Sequence, residues 1–184
     1  MTIDNCIFGV CSADNAGGAI YAANNAILTV VNSSFDGNTV AGVAGSGGAI
    51  YINACDGSEI INCTFKNNTA ANGGGLYFDG SQADIANSLF YNNDASRGSG
   101  GAIYIVSSTM NLYNSTLCEN NVLEALQTGG GIYADTNSTF NINNSVIYGN
   151  TGGDPSSSNI DYPGTFFTGS NCYYDGGVSG LTFT

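Results

Sequence analysis

The chain has 184 residues, enough for one domain that buries roughly 70% of the surface of the unfolded chain. Lys and Arg together number two, against 14 Asp and Glu, and the formal net charge is −12. This charge nearly excludes nucleic acid as a partner and disfavours binding to an anionic membrane surface. His is absent, which removes the commonest general base, and no apolar run approaches the roughly 20 residues of a membrane-spanning helix, so we expect no direct membrane insertion.

Two motifs recur along the chain at intervals of 25 to 30 residues. The first is Asn, then Ser or Cys, any residue and a large apolar residue, and it begins at Asn5, Asn32, Asn62, Asn87, Asn114, Asn144 and Asn171. The second is Gly-Gly-x-apolar-Tyr, and it occupies residues 17–21, 47–51, 73–77, 100–104 and 129–133. Repetition at such a period is typical of a solenoid.

Inside each unit, apolar and polar residues alternate with the period of two that predicts β-strands. In chain order, one strand precedes the first-motif Asn, a second carries the apolar residue three positions after it, and a third begins in the Gly motif. The second strand supplies a column of large residues: Phe8, Phe35, Phe65, Phe90, Leu117, Ile147 and Tyr174. Residues 122–126 depart from this pattern, and we expect a helical turn in a loop there.

Three short strands in about 27 residues correspond to one coil of a parallel β-helix, whose coils stack at roughly 4.8 Å. We therefore predict an all-β solenoid of about seven coils in one domain, residues 1–184. The first-motif Asn residues, and a second Asn row three positions after the apolar column, are predicted to form ladders at the turns. Asn adopts the left-handed backbone conformation that a sharp bend requires, and its amide can bond to the coils on both sides.

The Gly-Gly-Ala-Ile string at 17–20 and the Phe-x-x-Asn strings at 35–38 and 65–68 resemble the repeats of the chlamydial polymorphic outer-membrane proteins. More broadly, the repeats resemble the right-handed parallel β-helix surface proteins of bacteria, over residues 2 to about 177. This resemblance implies a right-handed coil, an extracellular or cell-surface location, and an adhesin-like or passenger role. The fold also carries polysaccharide lyases and hydrolases, so it does not by itself name a function.

The sequence begins inside a predicted coil, and we expect neither a signal peptide nor a surface anchor within it. We therefore expect a fragment of a longer solenoid. Its uncapped ends predict end-to-end self-association, because an open parallel edge invites pairing with another chain.

The Tyr of each Gly motif alternates with an inward Ile or Leu and is therefore predicted to point outward. Stacked on successive coils, these residues would form a strip about 20 Å long. Tyr is amphipathic, so the strip is the candidate binding site for a glycan or a surface protein, with the loops 39–46 and 121–128 as possible walls. The alternative is that Tyr–Tyr stacking only stabilises adjacent coils. The candidate residues are Tyr21, Tyr51, Tyr77, Tyr104 and Tyr133.

The acidic residues give little support for catalysis. Asp79 and Asp135 are expected two coils apart, roughly 9 to 10 Å, close to the spacing of about 6.5–9.5 Å in an inverting glycosidase. No neighbouring coil supplies a His, Lys or Arg to assist them, so solvated surface acids are the simpler interpretation. No calcium-binding repeat or EF-hand loop occurs, and no cofactor or structural metal is expected.

The six cysteines are expected to divide into two groups. Three replace the small Ser of the first motif and are predicted to be core thiols: Cys6, Cys63 and Cys172. The others are expected in turns or facing outward: Cys11, Cys55 and Cys118. A local disulfide between Cys6 and Cys11, or between Cys55 and Cys63, is left open by the sequence.

The sequence thus predicts a non-catalytic rod whose lateral face contacts glycans or proteins. A fragment of a carbohydrate-active enzyme and a purely structural spacer are the two alternatives. An enzyme should gather acids or cations on adjacent coils, whereas a binding module should show an ordered and exposed aromatic row.

Overall fold

The computed structural model describes residues 1–153, 159–163, 167–175 and 178–179. Within these ranges it consists of 26 short strands in four parallel sheets, and each strand pairs with its equivalent one repeat away. The first sheet contains β1 (Thr2–Asp4), β5 (Thr29–Val31), β9 (Ser58–Ile61), β13 (Gln82–Ala86), β17 (Thr109–Tyr113), β21 (Thr139–Asn143) and β24 (Phe167–Ser170). The second sheet contains β2 (Ile7–Gly9), β6 (Ser34–Asp36), β10 (Thr64–Lys66), β14 (Leu89–Tyr91), β18 (Thr116–Cys118), β22 (Val146–Tyr148) and β25 (Tyr173–Tyr174).

The third sheet is built from two-residue strands: β3 (Ser12–Ala13), β7 (Thr39–Val40), β11 (Thr69–Ala70), β15 (Asp94–Ala95) and β19 (Asn121–Val122). The fourth sheet begins in the Gly motifs and contains β4 (Ile20–Ala23), β8 (Ile50–Asn53), β12 (Leu76–Asp79), β16 (Ile103–Val106), β20 (Ile132–Ala134), β23 (Ile160–Asp161) and β26 (Val178–Ser179). The chain therefore makes about six full turns with seven strands in each of three sheets, close to the seven coils predicted. The short third sheet is additional to the three strands predicted per coil, because two residues are too few to show an alternation.

The interior is filled by columns of identical or similar residues. The rings of Phe8, Phe35, Phe65 and Phe90 stack in succession with centroids 4.8 Å apart and planes within 5° of parallel. A second column is completely buried and consists of Val30, Ile60, Ile85, Leu112 and Ile142. Full burial of each such side chain contributes about 1.5–3 kcal/mol, so the core energy repeats coil by coil.

The Asn row that follows the apolar column forms a ladder inside the solenoid. Asn68 donates its amide to Oδ1 of Asn93 at 2.9 Å and to the carbonyl of Phe35 in the preceding coil at 3.1 Å. Oδ1 of Asn93 also accepts the backbone N–H of Asn68 at 3.1 Å. The same pattern, with side chains at most 4% exposed, runs through Asn38, Asn68, Asn93, Asn120 and Asn150. This ladder satisfies backbone groups that the turn would otherwise bury without partners.

The first-motif Asn row lies at the surface and provides the predicted left-handed bends. All seven of these residues have φ between 49° and 57°: Asn5, Asn32, Asn62, Asn87, Asn114, Asn144 and Asn171. In the buried row, the left-handed residue is instead the one before the Asn, as at Asn67 and Asn92. The first-motif row thus bends the backbone, and it also bonds some neighbouring coils, since Asn62 donates its amide to Oδ1 of Asn32 at 2.7 Å and Asn171 donates to Asn144 at 3.2 Å. The buried row is the continuous ladder.

All six cysteines are free thiols, so neither of the local disulfides left open by the sequence is formed. Cys63 is 2% exposed and occupies a position held by Ser in other coils, as predicted. Cys55 lies in the turn between β8 and β9, and Cys118 stands in the outward row of the second sheet between Tyr91 and Tyr148, as predicted. Both are nevertheless buried, at 0% and 6% exposed. Cys55 occupies a second row of small inward residues, where its N–H donates to Oγ of Ser81.

Candidate functional site

The five predicted Tyr residues form one strip on the outer face of the fourth sheet. Ring centroids of successive coils are 5.3, 5.0 and 4.8 Å apart from Tyr21 to Tyr104, and these rings lie within 16° of parallel. Tyr133 follows at 4.6 Å but is tilted by 31°. The strands that carry them are in register through Tyr21, Tyr51, Tyr77, Tyr104 and Tyr133. We call this row the Tyr strip.

The stacking determines which part of each ring the Tyr strip can offer to a ligand. Tyr21 is 57% exposed, whereas the other four rings are half-buried. Because neighbouring rings cover one another's faces, the interior of the strip presents ring edges and hydroxyl groups. Contacts along the interior of the strip would therefore be hydrogen bonds and contacts with ring edges.

The hydroxyl groups of the Tyr strip are held by neighbouring polar groups. The Tyr51 hydroxyl donates to Oδ2 of Asp79 at 3.1 Å, and the same oxygen accepts the amide of Asn53 at 3.0 Å. The rings of Tyr104 and Tyr133 lie with their centroids 4.6 Å apart, which brings their hydroxyl groups near each other. The strip is thus an ordered row of donors and acceptors.

The pKa values of Tyr51, Tyr77 and Tyr104 are raised above the usual 10. Burial, followed by the hydrogen bond to Asp79, raises the pKa of Tyr51 to about 12. Burial also raises the pKa of Tyr77 to about 12, with smaller effects from Tyr51 and Asp79. The pKa of Tyr104 is raised for the same main reason.

A shallow groove of about 630 Å³ lies beside Tyr21 and Tyr51. Ala44 and Ser46, from the loop predicted as a wall, form one side of it. The remaining lining residues belong to the first coil: Ala13, Asp14, Asn15 and Ala16. We call this the Tyr21 groove, and it joins one end of the Tyr strip to the first of the two predicted loop walls.

The second predicted wall also lies near the Tyr strip. Thr128 donates its hydroxyl to Oδ2 of Asp161, whose Cα pairs in register with that of Tyr133. The helical turn expected at residues 122–126 is wrong: Val122 belongs to β19, and Gln127 N–H closes a tight turn onto the carbonyl of Glu124. Leu126, at the tip of this loop, is 90% exposed.

The two carboxylates considered for catalysis have structural partners. Asp79 accepts the two hydrogen bonds from Tyr51 and Asn53. Asp135 closes a turn, where its Oδ1 accepts the Ser138 hydroxyl at 2.5 Å and the Asn137 N–H at 3.2 Å. Both carboxylates therefore hold neighbouring coils or turns together. Among the described residues, no group of three or more His, Cys, Asp or Glu residues is placed to hold a metal ion.

A second surface groove, of about 330 Å³, was not identified from the sequence. It runs across the bend between the first and second sheets, and Leu89, Thr64 and Thr116 contribute outward side chains to it. Its amide lining comes from the left-handed Asn62, Asn87 and Asn114. The groove could have been located from the residue two positions after each of these Asn residues, which points outward. In that row Leu89 lies between Thr64 and Thr116 of the neighbouring coils.

The family described as "Right handed beta helix region" matches residues 3–178. No curated protein and no solved structure matches the chain significantly. Within the ranges that the structure describes, no helix has the length and apolar character needed to cross a membrane. Because the family match extends over nearly the whole chain and the structure is a parallel solenoid with a buried Asn ladder, the chain belongs to the right-handed β-helix family.

Proposed function

We propose that this chain is a non-catalytic β-helix rod whose lateral face binds glycans or proteins through the Tyr strip. The observation that carries the proposal is the in-register row of Tyr side chains, ordered by stacking and continuous with the Tyr21 groove. A rigid solenoid holds such a row without an ordering cost on binding, and preorganisation of this kind favours affinity.

The repeats also support an adhesin-like or passenger role at a bacterial surface. They resemble those of the chlamydial polymorphic outer-membrane proteins in the Gly-Gly-Ala-Ile and Phe-x-x-Asn strings. An extracellular location and end-to-end self-association belong to the same proposal and stay predictions.

A carbohydrate-active enzyme fragment is the alternative from a different class. A pair of catalytic carboxylates needs one acid with a raised pKa and one free base. Asp135 instead accepts hydrogen bonds from its own turn, and Asp79 accepts them from Tyr51 and Asn53. These partners favour a structural role for both carboxylates.

A spacer without a ligand is the third candidate, and the face-to-face stacking of the rings favours it. The two functions differ in what the Tyr residues do: in a spacer they only stabilise the coils, whereas in a binding module they also contact the ligand. Loss of the Tyr strip in a folded protein therefore distinguishes them.

Glycan-array binding tests the proposal. The parent chain is compared with a variant carrying Tyr51→Ala, Tyr77→Ala and Tyr104→Ala, and with a Tyr113→Ala control on the outer face of the first sheet. Circular dichroism checks that each variant keeps its β-sheet. We expect a glycan signal for the parent and the control that the triple variant loses. Equal signals from parent and triple variant would contradict glycan binding by the Tyr strip.

A further inference from the structure

We propose that the second surface groove, at the bend between the first and second sheets, is a binding site for a neutral saccharide. We call it the Asn groove, after the amides of Asn62, Asn87 and Asn114 that line it. This inference goes beyond the proposed function, because the Tyr strip lies on the fourth sheet and shares no residue with the Asn groove. Either site can therefore bind a ligand without the other.

The Asn groove lies in the middle of the solenoid, on three successive coils. Thr64, Leu89 and Thr116 pair in register, and the same row continues to Ser34 on one side and to Val146 on the other. The groove is thus bounded by further coils in both directions. Its open side chains therefore do not result from an end of the chain.

The alternation of side chains at the bend produces the groove. Each left-handed Asn points outward, the next residue points inward, and the residue after it points outward again. In the middle coil the inward residue is Ser88, which is 3% exposed and donates its hydroxyl to the carbonyl of Ala86 at 2.9 Å. The floor of the groove is therefore closed, and its two walls are the Asn row and the Thr–Leu–Thr row.

Two amides of the Asn groove have no partner in the part of the protein that the structure describes. The side chains of Asn87 and Asn114 are exposed, and neither makes a hydrogen bond to a described residue. Amides at the next bend of the same coils bond from coil to coil, as Asn92 donates to Oδ1 of Asn67 at 2.8 Å. The amides of Asn87 and Asn114 are therefore available to a ligand.

The size of the groove fits a saccharide better than a protein segment. Its volume of about 330 Å³ lies at the lower end of the range of roughly 300–1,000 Å³ typical of small-ligand sites. Two coil spacings separate Asn62 from Asn114, or about 10 Å, which accommodates one or two sugar rings. A stable protein interface buries about 800 Å² on each partner around an apolar centre, and the groove offers a single apolar side chain, Leu89. Its strands are paired on both sides, so an extended peptide cannot add to the sheet there.

The side chains of the groove match the groups of a sugar ring. A carboxamide both donates and accepts hydrogen bonds, so Asn87 and Asn114 can each bond to neighbouring sugar hydroxyls. Thr64 and Thr116 add hydroxyl groups on the opposite wall. Between them Leu89 is 37% exposed, and the C–H face of a sugar can cover it.

The absence of charge in the lining selects a neutral ligand. Among the described residues that line the groove, none is Asp, Glu, Lys or Arg. Lys66, the cation nearest to the groove along the chain, is paired with Asp36 at 3.1 Å. An acidic sugar would therefore find no free cation there, and the net charge of −12 would repel it.

An NMR titration of the isotope-labelled protein tests the inference, because side-chain amide signals report on individual Asn residues. The neutral probes are chitotetraose, cellotetraose and maltotetraose, and the acidic probe is tetragalacturonate. We expect at least one neutral probe to shift the amide signals of Asn87 and Asn114. The signal of Asn111, which donates to Asp84 on the outer face of the first sheet, should stay in place.

Glycine substitutions remove the amides without changing the bend. Asn87 and Asn114 have φ of 52° and 49°, which glycine adopts readily, so Asn87→Gly with Asn114→Gly should keep the fold and raise the Kd of the bound probe at least tenfold. Asn144→Gly is the matched control, at an equivalent bend with φ of 52° outside the groove lining, and should bind as the parent does. Leu89→Thr continues the Thr row and should also weaken binding. Circular dichroism checks the fold of each variant.

Three results would overturn the inference. If no neutral probe shifts the signals of Asn87 and Asn114, the Asn groove does not bind saccharides. Preferential binding of tetragalacturonate would overturn the neutral class. Binding that survives the double glycine change but is lost with Tyr51→Phe, Tyr77→Phe and Tyr104→Phe would assign the saccharide to the Tyr strip, so this inference would fail while the proposed function stands.

Discussion

The Tyr51 hydroxyl donates a 3.1 Å hydrogen bond to Asp79, which lies one coil further along the solenoid. The same carboxylate oxygen accepts the amide of Asn53, the Cα partner of Asp79 in the sheet. One acid thereby joins two adjacent coils at the edge of the Tyr strip. It also fixes the direction of the Tyr51 hydroxyl, so the same side chains that stack the coils orient a group of the proposed binding surface.

The raised pKa values of the Tyr strip predict a loss of stability at alkaline pH. The pKa of Tyr51 and of Tyr77 is about 12 in the folded protein, against 10 for an unperturbed Tyr. A pKa that is higher in the folded state gives a stabilisation that is complete below pH 10 and is lost as pH rises towards 12. Unfolding free energies measured from pH 8 to 12 should therefore fall across that interval.

Two substitutions separate the causes of this alkaline transition. Tyr77→Phe removes one ionisable hydroxyl and should make the fall in stability shallower. Asp79→Asn removes a negative charge beside Tyr51 and should lower the Tyr51 pKa towards 10, which ultraviolet titration of the tyrosinates would detect. The same alkaline profile in both variants as in the parent would contradict this explanation.

The buried Asn ladder is predicted to be more important for stability than the polar contacts of the outer surface. Asn93→Ala removes the Oδ1 acceptor for the backbone N–H and the side-chain amide of Asn68. It also removes the amide that donates to the carbonyl of Phe65. Each buried group left unpaired costs about 1–3 kcal/mol, so we expect a loss of about 3–5 kcal/mol in chemical denaturation.

Asn111→Ala is the matched control for Asn93→Ala. Asn111 likewise bonds the coils on both sides, since it donates its amide to Asp84 and accepts that of Asn141, but it lies on the outer face of the first sheet. Water can replace both partners there, so this substitution should cost less than about 1 kcal/mol. Equal costs at the two positions would show that the internal ladder has no special role.

Val10 is a strained residue whose replacement should stabilise the protein. Its φ is 56° and its side chain is 84% exposed, so packing does not compensate for the unfavourable conformation. Other coils have Gly37, Asn67 or Asn92 at the equivalent bend. Because a β-branched residue in this conformation costs about 1–2 kcal/mol, Val10→Asn should increase the unfolding free energy by about 1 kcal/mol. The reverse change, Asn92→Val, should be destabilising, and a stabilising effect would contradict this account of the bend.

The second glycine of each Gly motif is predicted to be essential for coil stacking. A Cβ at Gly74 would lie 2.4 Å from the carbonyl oxygen of Gly101 and 2.6 Å from the backbone of Asp94, and neither can move independently of its coil. We expect Gly74→Ala to cost about 3 kcal/mol or more. Gly9→Ala is the control and should cost about 1 kcal/mol or less, because a Cβ there would come no closer than 3.9 Å, to the carbonyl oxygen of Asp36. Similar melting temperatures for the two variants would refute the steric argument.

The sequence was sufficient for the repeat, the inward columns and the outward direction of the Tyr residues, because stacking places equivalent residues at the same face in every coil. Phe35, Phe65 and Phe90 could be placed in one buried column from their spacing alone. The third sheet could not be predicted from the sequence, since β7 and its equivalents have only two residues and leave no alternation to detect.

Features that depend on contacts between coils were also inaccessible to the sequence. The burial of Cys55 within its turn could not be predicted, because the row of small residues that includes Ser81 and Ser108 has no apolar pattern. The Tyr21 groove was only partly anticipated: the loop of residues 39–46 was identified as a wall, but Asp14 and Asn15 are brought to it by hydrogen bonds with the following coil.

The most direct test of the central claim, that the Tyr strip is a binding surface, is a variant that keeps the rings and removes the hydroxyls. Tyr51→Phe, Tyr77→Phe and Tyr104→Phe are combined, and both glycan affinity and unfolding free energy are measured. Three lost hydrogen bonds of about 0.5–1.5 kcal/mol each should reduce the affinity at least tenfold, while circular dichroism stays unchanged. If the variant binds every array glycan as the parent does, or if neither binds any, the Tyr strip does not bind glycans through its hydroxyls and serves to stack the coils.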